Sequence, residues 1–293
     1  MNRYLIFRTD RIGDFLISAI LLKCIKKSDP TASILVVGSN KNSKYIQTFP
    51  YVDQVIQLNN NLFSKLNVFF KLFKFKYKTI IIHDDKNRSK LISFFLRSLN
   101  KINISNSNKI THIQIIKDIL QKIDIDYAHD SLNTLSHIKN KKLYNENYIQ
   151  LHFDEKWIYK DYIDKYINIE PTKNELISFI KIISIKMNNN LIITTGHKTP
   201  KILQNIKDFL VSENIKLYEN LSFLELENIT LKSRFLISCH GAISHIASAK
   251  KITQIDIIDK SYNYKRWTEH FRNYISIHRR PFKELSSDII KLL

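Results

Sequence analysis

Glycine is scarce in this sequence: four residues in 293, beside five prolines, two cysteines and two methionines. Cys24 and Cys239 form no CxxC motif and imply no disulfide framework. No apolar run approaches the ~20 residues of a membrane span. The opening MNRYLIFRTDRIGDF does not read as a signal peptide, because Arg8, Asp10, Arg11 and Asp14 follow a short apolar run. Together these features lead us to expect a soluble protein of the reducing cytoplasm. Acidic residues are also in short supply: 27 Asp and Glu face 46 Lys and Arg, a formal charge of +19. Such a balance favours anionic partners, whether nucleic acid, phospholipid or phosphorylated substrate. The abundance of Ile, Lys and Asn also fits AT-rich coding. We read no compact basic cluster carrying stacking aromatics, so nucleic acid is not the expected partner.

What is there is organised around the glycines. Each follows a β-rich run: YLIFRTDRIG (Gly13), SILVVG (Gly38), LIITTG (Gly196) and RFLISCHG (Gly241). Strand, glycine and helix repeated four times argue for βα units and parallel sheets. Further strands are expected at 79–83, 148–153, 255–258 and 275–278. Residues 15–27 read as a buried helix, apolar almost all round and ending in lysines. Helices are also expected over 202–212, 222–233 and 283–293. The polar, aperiodic stretch at about 124–147 reads as the connection between two α/β halves, 1–145 and 146–293. Asn/Lys-rich patches at 58–61, 104–109 and 187–190 read as loop tips. Ligands in open α/β sheets bind at the carboxyl ends of the strands, where the glycine turns lie.

Several stretches together resemble the heptosyltransferase-like family 9 glycosyltransferases. YLIFRTDRIGDFLISAILLKCIKK is similar to the family's opening strand, Gly-Asp loop and helix, and FPYVDQVI (49–56) resembles its next phrase. YKTIIIHDDKNRSKLISFF looks like the strand and Arg-Ser loop that follow. HFDEKWIYKDY (152–162) and NLSFLELENITLKSRFLISCHGAISHIASAKK (220–251) resemble the donor-holding part of the second domain. The resemblance implies two Rossmann-like domains facing a cleft (the GT-B type), with acceptor bound by the first and nucleotide sugar by the second. It implies an inverting, metal-independent transfer of heptose or a similar sugar from a nucleoside-diphosphate donor to a lipopolysaccharide core or other surface glycan. No cofactor beyond the donor and no metal are implied, and a peripheral contact with the cytoplasmic face of the inner membrane is. A different donor, for capsule or O-antigen synthesis, and a non-catalytic nucleotide- or glycan-binding protein are the alternatives.

The resemblance makes Asp14 the general base, which takes the acceptor hydroxyl's proton as it attacks the anomeric carbon. On spacing alone the helix cap is the favoured reading of Asp14, an order the resemblance reverses, and Asp10 is a second carboxylate in the same loop. Arg8 and Arg11 suit oxyanions or pair with those acids. With Gly13, Asp84 and Arg88 they make the expected acceptor set, and His83 and Ser89 stand beside it. Asp84-Asp85 is adjacent, not the alternating DxD of metal-dependent transferases. On the donor side, Gly241 and Ala242 open a helix whose free N–H groups suit a diphosphate. His240 and His245 are candidate donors to phosphate or sugar, or packing histidines. Lys156 is a candidate to neutralise the leaving diphosphate, or a surface lysine; Trp157 beside it, a packing anchor. Thr194, Thr195, Gly196 and His197 follow another second-half strand and complete the expected donor set. The chain departs from the family where an Asp is usual: His240 stands there.

Overall fold

A computed structural model of the chain describes residues 1–104, 110–128, 148–162, 164–186, 188 and 190–293. Two compact units emerge, Met1–Lys139 with Lys265–His270, and Asn140–Tyr264 with Phe271–Leu293. Most of the connection expected at 124–147, the boundary at 145/146 with it, lies outside the described residues, as do 105–109, 187 and 189.

The first unit runs β1 (Arg3–Phe7), α1 (Ile12–Ser28), β2 (Ser33–Gly38), α2 (Ser43–Ile46), β3 (Gln54–Gln57), α3 (Leu62–Phe73), β4 (Lys76–Ile82), α4 (Asn87–Phe94), β5 (Arg97–Asn103) and α5 (His112–Gln121). Its sheet is parallel with the order β3-β2-β1-β4-β5. The chain continues with β6 (Tyr148–His152), α6 (Lys173–Lys186), β7 (Leu191–Thr194), α7 (Lys201–Gln204), α8 (Lys207–Ser212), β8 (Lys216–Tyr218), α9 (Phe223–Thr230), β9 (Ser233–Cys239), α10 (Ala242–Ala249), β10 (Thr253–Ile258), α11 (Lys265–Thr268), β11 (Tyr274–His278) and α12 (Phe282–Leu292), all but α11 in the second unit. The order here is β11-β10-β9-β6-β7-β8, again all parallel. Counted from its own first strand, each sheet has the Rossmann order 3-2-1-4-5, with a sixth strand in the second. α11 is grouped with the first unit, where Trp267 packs on His112 at 5.3 Å between ring centroids.

The apolar runs become central strands for an ordinary reason: parallel strands are covered on both faces, so they read as near-continuous hydrophobic stretches. Leu5, Phe7, Leu35, Val37, Ile80 and Ile82 form one core, and Ile149, Leu151, Ile193, Ile237 and Ile257 belong to the other. α1 is buried from Phe15 to Leu22 without interruption and exits on Lys26 and Lys27, as its composition predicts. The helix expected over 202–212 is instead two short ones, α7 and α8, parted at Asn205-Ile206. The helix expected over 222–233 stops at Thr230, and Ser233 already belongs to β9.

None of the glycines uses a positive φ. Gly38 is needed for space: a Cβ there would stand 2.8 Å from Asn42 Oδ1 and 3.3 Å from Ser43 Cα. Asn42 cannot easily yield, because it donates to Arg8 O at 2.8 Å and accepts from Ser39 N–H at 2.8 Å. Gly38→Ala should therefore destabilise the protein by about 1–3 kcal/mol, read as a lower urea midpoint.

Candidate functional site

In an open parallel sheet the crevice lies where strand order reverses, outside the carboxyl ends of the first and fourth strands. In the first unit these are β1 and β4, paired with Phe7 opposite Ile82. Their loops, 8–11 and 83–86, are therefore neighbours. Arg8 is buried under both: it donates from Nη1 to His83 O, from Nε to Asp14 O at 3.0 Å, and pairs with Asp10 at 3.3 Å and Asp14 at 3.7 Å. A guanidinium so occupied positions the loop. Asp84 is buried as well and accepts from Thr9 Oγ1 at 2.5 Å, Ser89 Oγ at 2.8 Å and Lys86 N–H at 3.3 Å. It ties the β4 loop to the β1 loop. Asp85 pairs with Lys90 at 2.6 Å. His83 is wholly buried with Nδ1 2.8 Å from Ser18 Oγ; burial, then Arg8, pushes its pKa well below the ordinary value, so it stays neutral. Gly13 is the second residue of α1.

Above this base lies a pocket of about 920 Å³. Arg11, Lys41, Lys86 and Arg88 bring four cations to its lining, against the carboxylates of Asp10 and Asp14. Asn59, Asn60 and Asn61, read from the sequence as a loop tip, form another part of the wall. Arg88 donates to Thr9 Oγ1 at 2.9 Å and to Asn60 Oδ1, while its Nε has no partner among the described residues. Asp14 does two things at once. Its Oδ2 accepts from Arg11 N–H at 3.2 Å, a capping contact at the start of α1, yet its side chain stays 30% exposed and lines the pocket. Asp10 is pinned by Lys86 at 2.5 Å. Burial raises its carboxyl above the ordinary value against the pull of Arg8 and Lys86.

In the second unit the corresponding strands are β6 and β9, paired with His152 opposite Ser238. After β6 the chain makes a 3-10 turn, Glu155–Trp157, capped by Asp154, which accepts from Lys156 N–H at 3.1 Å. Trp157 is fully buried, stacks on Phe153 and donates to His152 O at 2.9 Å, so it anchors the turn. The Lys156 ammonium pairs with Asp154 and lies 2.9 Å from where a Cβ on Gly241 would stand. Gly241 is the N-cap of α10, so its missing side chain lets a cation sit against a helix N-terminus. Burial pushes Asp154 up, but Lys156 and His152 outweigh it and hold the carboxyl well below the usual range. Burial pushes Lys156 down, Asp154 outweighs it, and the amine is held above its ordinary value as an ammonium.

His240 lies beside this turn, and its Nδ1 is 2.6 Å from Asp256 Oδ2. Asp256 is fully buried on β10 and also accepts from Ser244 Oγ at 2.9 Å and Tyr274 OH at 3.1 Å. A carboxylate thus stands directly behind this histidine. Sequence reasoning missed Asp256; the available signal was an acid inside the apolar run IDII, because a buried charge requires partners. Ala242 opens α10. His245 is buried one turn in, its ring 5.0 Å from that of Phe271. Thr195 is buried and closes its own loop, its N–H donating to Tyr218 O at 3.0 Å and its hydroxyl accepting from Asn220 N–H at 3.1 Å. Thr194 is buried and hydrogen-bonds Gln150. A Cβ on Gly196 would stand 3.6 Å from Glu155 Oε2, and His197 is exposed. Lys156, His240, Gly241 and Ala242 therefore share the carboxyl ends of β6 and β9, whereas Thr195 and His245 are packed around them.

No protein-family model matches the chain, and no curated protein does. Solved structures do. Heptosyltransferase WaaC of E. coli with ADP is 10% identical with a TM-score of 0.72, over 99% of this chain and 100% of that one. A glycosyltransferase family 9 protein of Veillonella parvula is 9% identical with a TM-score of 0.69, over 99% and 88%. A UDP-GlcNAc 2-epimerase of Methanocaldococcus jannaschii is 13% identical with a TM-score of 0.58, over 99% and 92%. The chain has the two-domain α/β fold that these heptosyltransferase, glycosyltransferase and epimerase structures share.

Proposed function

We propose that this chain is an inverting glycosyltransferase of the heptosyltransferase-like family 9. It moves heptose or a similar sugar from a nucleoside-diphosphate donor held by the second unit to a surface-glycan acceptor held in the pocket of the first. The observation that carries this reading is the Lys156 ammonium at the N-cap of α10, given room by the missing side chain of Gly241. A helix N-terminus and a fixed cation together suit a diphosphate. WaaC structures hold ADP and an ADP-fluoroheptose, in keeping with that ligand class.

The transfer follows from these residues. Asp14, oriented by Arg11 N–H and Arg8, takes the proton of the acceptor hydroxyl. The acceptor oxygen attacks the anomeric carbon as the bond from that carbon to the diphosphate breaks. The electron pair leaves on the diphosphate oxygen, where Lys156 and the α10 N–H groups offset the growing charge. Attack opposite the leaving group inverts the anomeric centre. The pocket's four cations against two carboxylates suit an anionic acceptor. The epimerases of the same fold supply the competing reading, a nucleotide sugar altered without an acceptor. A thermal-shift screen across ADP-, GDP-, UDP- and CMP-sugars tests donor binding. One nucleotide class should raise the melting temperature by several degrees at 100 times Kd, a stabilisation of about 2.7 kcal/mol. No shift with any of them removes the proposal.

A further inference from the structure

An amphipathic helix on a domain surface turns its apolar stripe inward and its polar face to water. α3 departs from this. Val68 and Leu72 point into the core, yet a second stripe, Leu62, Phe63, Leu66, Phe70 and Phe73, is exposed at 43–86%. The neighbouring α4 and β5 add Leu91, Phe94, Phe95 and Leu99 at 55–73%. The two groups are continuous: the Phe69 ring lies 5.3 Å from Phe73 and 6.2 Å from Phe95, which meets Phe94 at 5.1 Å. With large side chains of roughly 150–250 Å² each, the nine expose on the order of 1,000 Å². The largest patch on a typical monomer is about 300–600 Å².

The two stretches of chain that carry this patch hold cations and no acids. From 54 to 83 and from 86 to 104 there is no Asp or Glu, while Lys65, Lys71, Lys74, Lys90, Arg97 and Lys101 fall within those stretches. Of the two acids between, Asp84 is buried and accepts from Thr9, and Asp85 pairs with Lys90. Arg97 lies over the Phe73 ring at 5.7 Å, so cation and apolar surface are interleaved. The patch also adjoins the pocket: the chain entering α3 (Asn59–Asn61) and the first residues of α4 (Asn87, Arg88) line it.

We infer that α3, α4 and the edge strand β5 form a docking surface for an anionic phospholipid bilayer. Phenylalanines and leucines enter the acyl boundary while lysines meet the headgroups. Leucines cannot stack on bases, which favours lipid over single-stranded nucleic acid. Docked this way, the helices bring the mouth of the pocket to the membrane, where a lipid-anchored acceptor would present its sugar.

Sedimentation of the full chain with vesicles tests this without any donor or acceptor. One set is phosphatidylcholine alone; the other contains one-third phosphatidylglycerol. The expected result is binding to the anionic vesicles, at least tenfold weaker in 0.5 M salt and at least tenfold weaker for the F63S/F70S/F94S variant, whose circular dichroism and thermal melt match the parent. All three residues lie in the first unit and outside its pocket, and the proposed donor site is in the second unit, so nucleotide binding should be unchanged. Any of four results overturns the inference: no vesicle binding, equal binding to both vesicle types, binding the variant retains, or an RNA oligonucleotide that displaces the vesicles. A dimer in light scattering that the variant abolishes, without vesicle binding, assigns the patch to a second copy instead.

Discussion

Replacing Asp14 with Asn lowers sugar transfer by about 10²–10⁴-fold and leaves nucleotide binding unchanged. The two roles of this residue predict different sizes of effect. As a cap, Asp14 offers Oδ2 to Arg11 N–H, and an asparagine oxygen can accept the same bond. What folding loses is a charge near Arg8 and the start of α1, about 1 kcal/mol. As a base, it removes a proton that Asn cannot accept, and the rate loss corresponds to roughly 3–5 kcal/mol. Steady-state kinetics with a chemical-denaturation curve separate them. A stability change with an unchanged rate leaves Asp14 as a cap only. Asp10 is the control: it lines the same pocket with its carboxyl raised by burial. A loss in Asp10→Asn that exceeds the loss in Asp14→Asn would transfer the role.

Removing the Lys156 ammonium has the second large effect. Lys156→Met leaves the Asp154 carboxylate buried without its main cation, at a cost of about 3–5 kcal/mol in stability. Nucleoside-diphosphate affinity falls at least tenfold, about 1.4 kcal/mol. The double variant D154N/K156M separates the two losses. Without either charge most of the stability returns, and the amide oxygen of the substituted side chain can still cap the turn at Glu155–Trp157. Affinity does not return, because the cation at Gly241 is gone. Urea denaturation and calorimetric titration of the parent and both variants read this directly. Restored affinity in the double variant would show that Lys156 serves the fold and not the phosphates.

The sheets were legible because central parallel strands are apolar on both faces, so YLIF, ILVV, TIII and FLIS stand out against polar loops. Three of the four edge strands were not, while the fourth, β11, is expected at 275–278. β3, β5 and β8 read QVIQ, RSLNKIN and KLY. An edge strand has one neighbour and is partly solvated, so the apolar signal fades. Burial was the other hidden variable. Arg8 and Asp84 look like pocket charges in sequence, yet both are buried clamps beneath it, whereas the unremarkable Asn59–Asn61 line the wall. The Phe- and Lys-rich run LFSKLNVFFKLFKFKYK does not stand out in the sequence as a basic aromatic cluster, because the pattern alone does not say which of its phenylalanines are exposed. Only the structure shows that most of them face outward. Asp256 and its contact with His240 join two strands, a proximity that no spacing along the chain reveals.

The most direct test of the account is acceptor-dependent release of nucleoside diphosphate from the nucleotide sugar that the thermal-shift screen selects. Nucleoside diphosphate should appear one for one with sugar on the acceptor, with the anomeric configuration inverted, and both should fall together in Asp14→Asn. A nucleotide sugar that is bound but never consumed, or one that is epimerised with no acceptor present, would contradict the account.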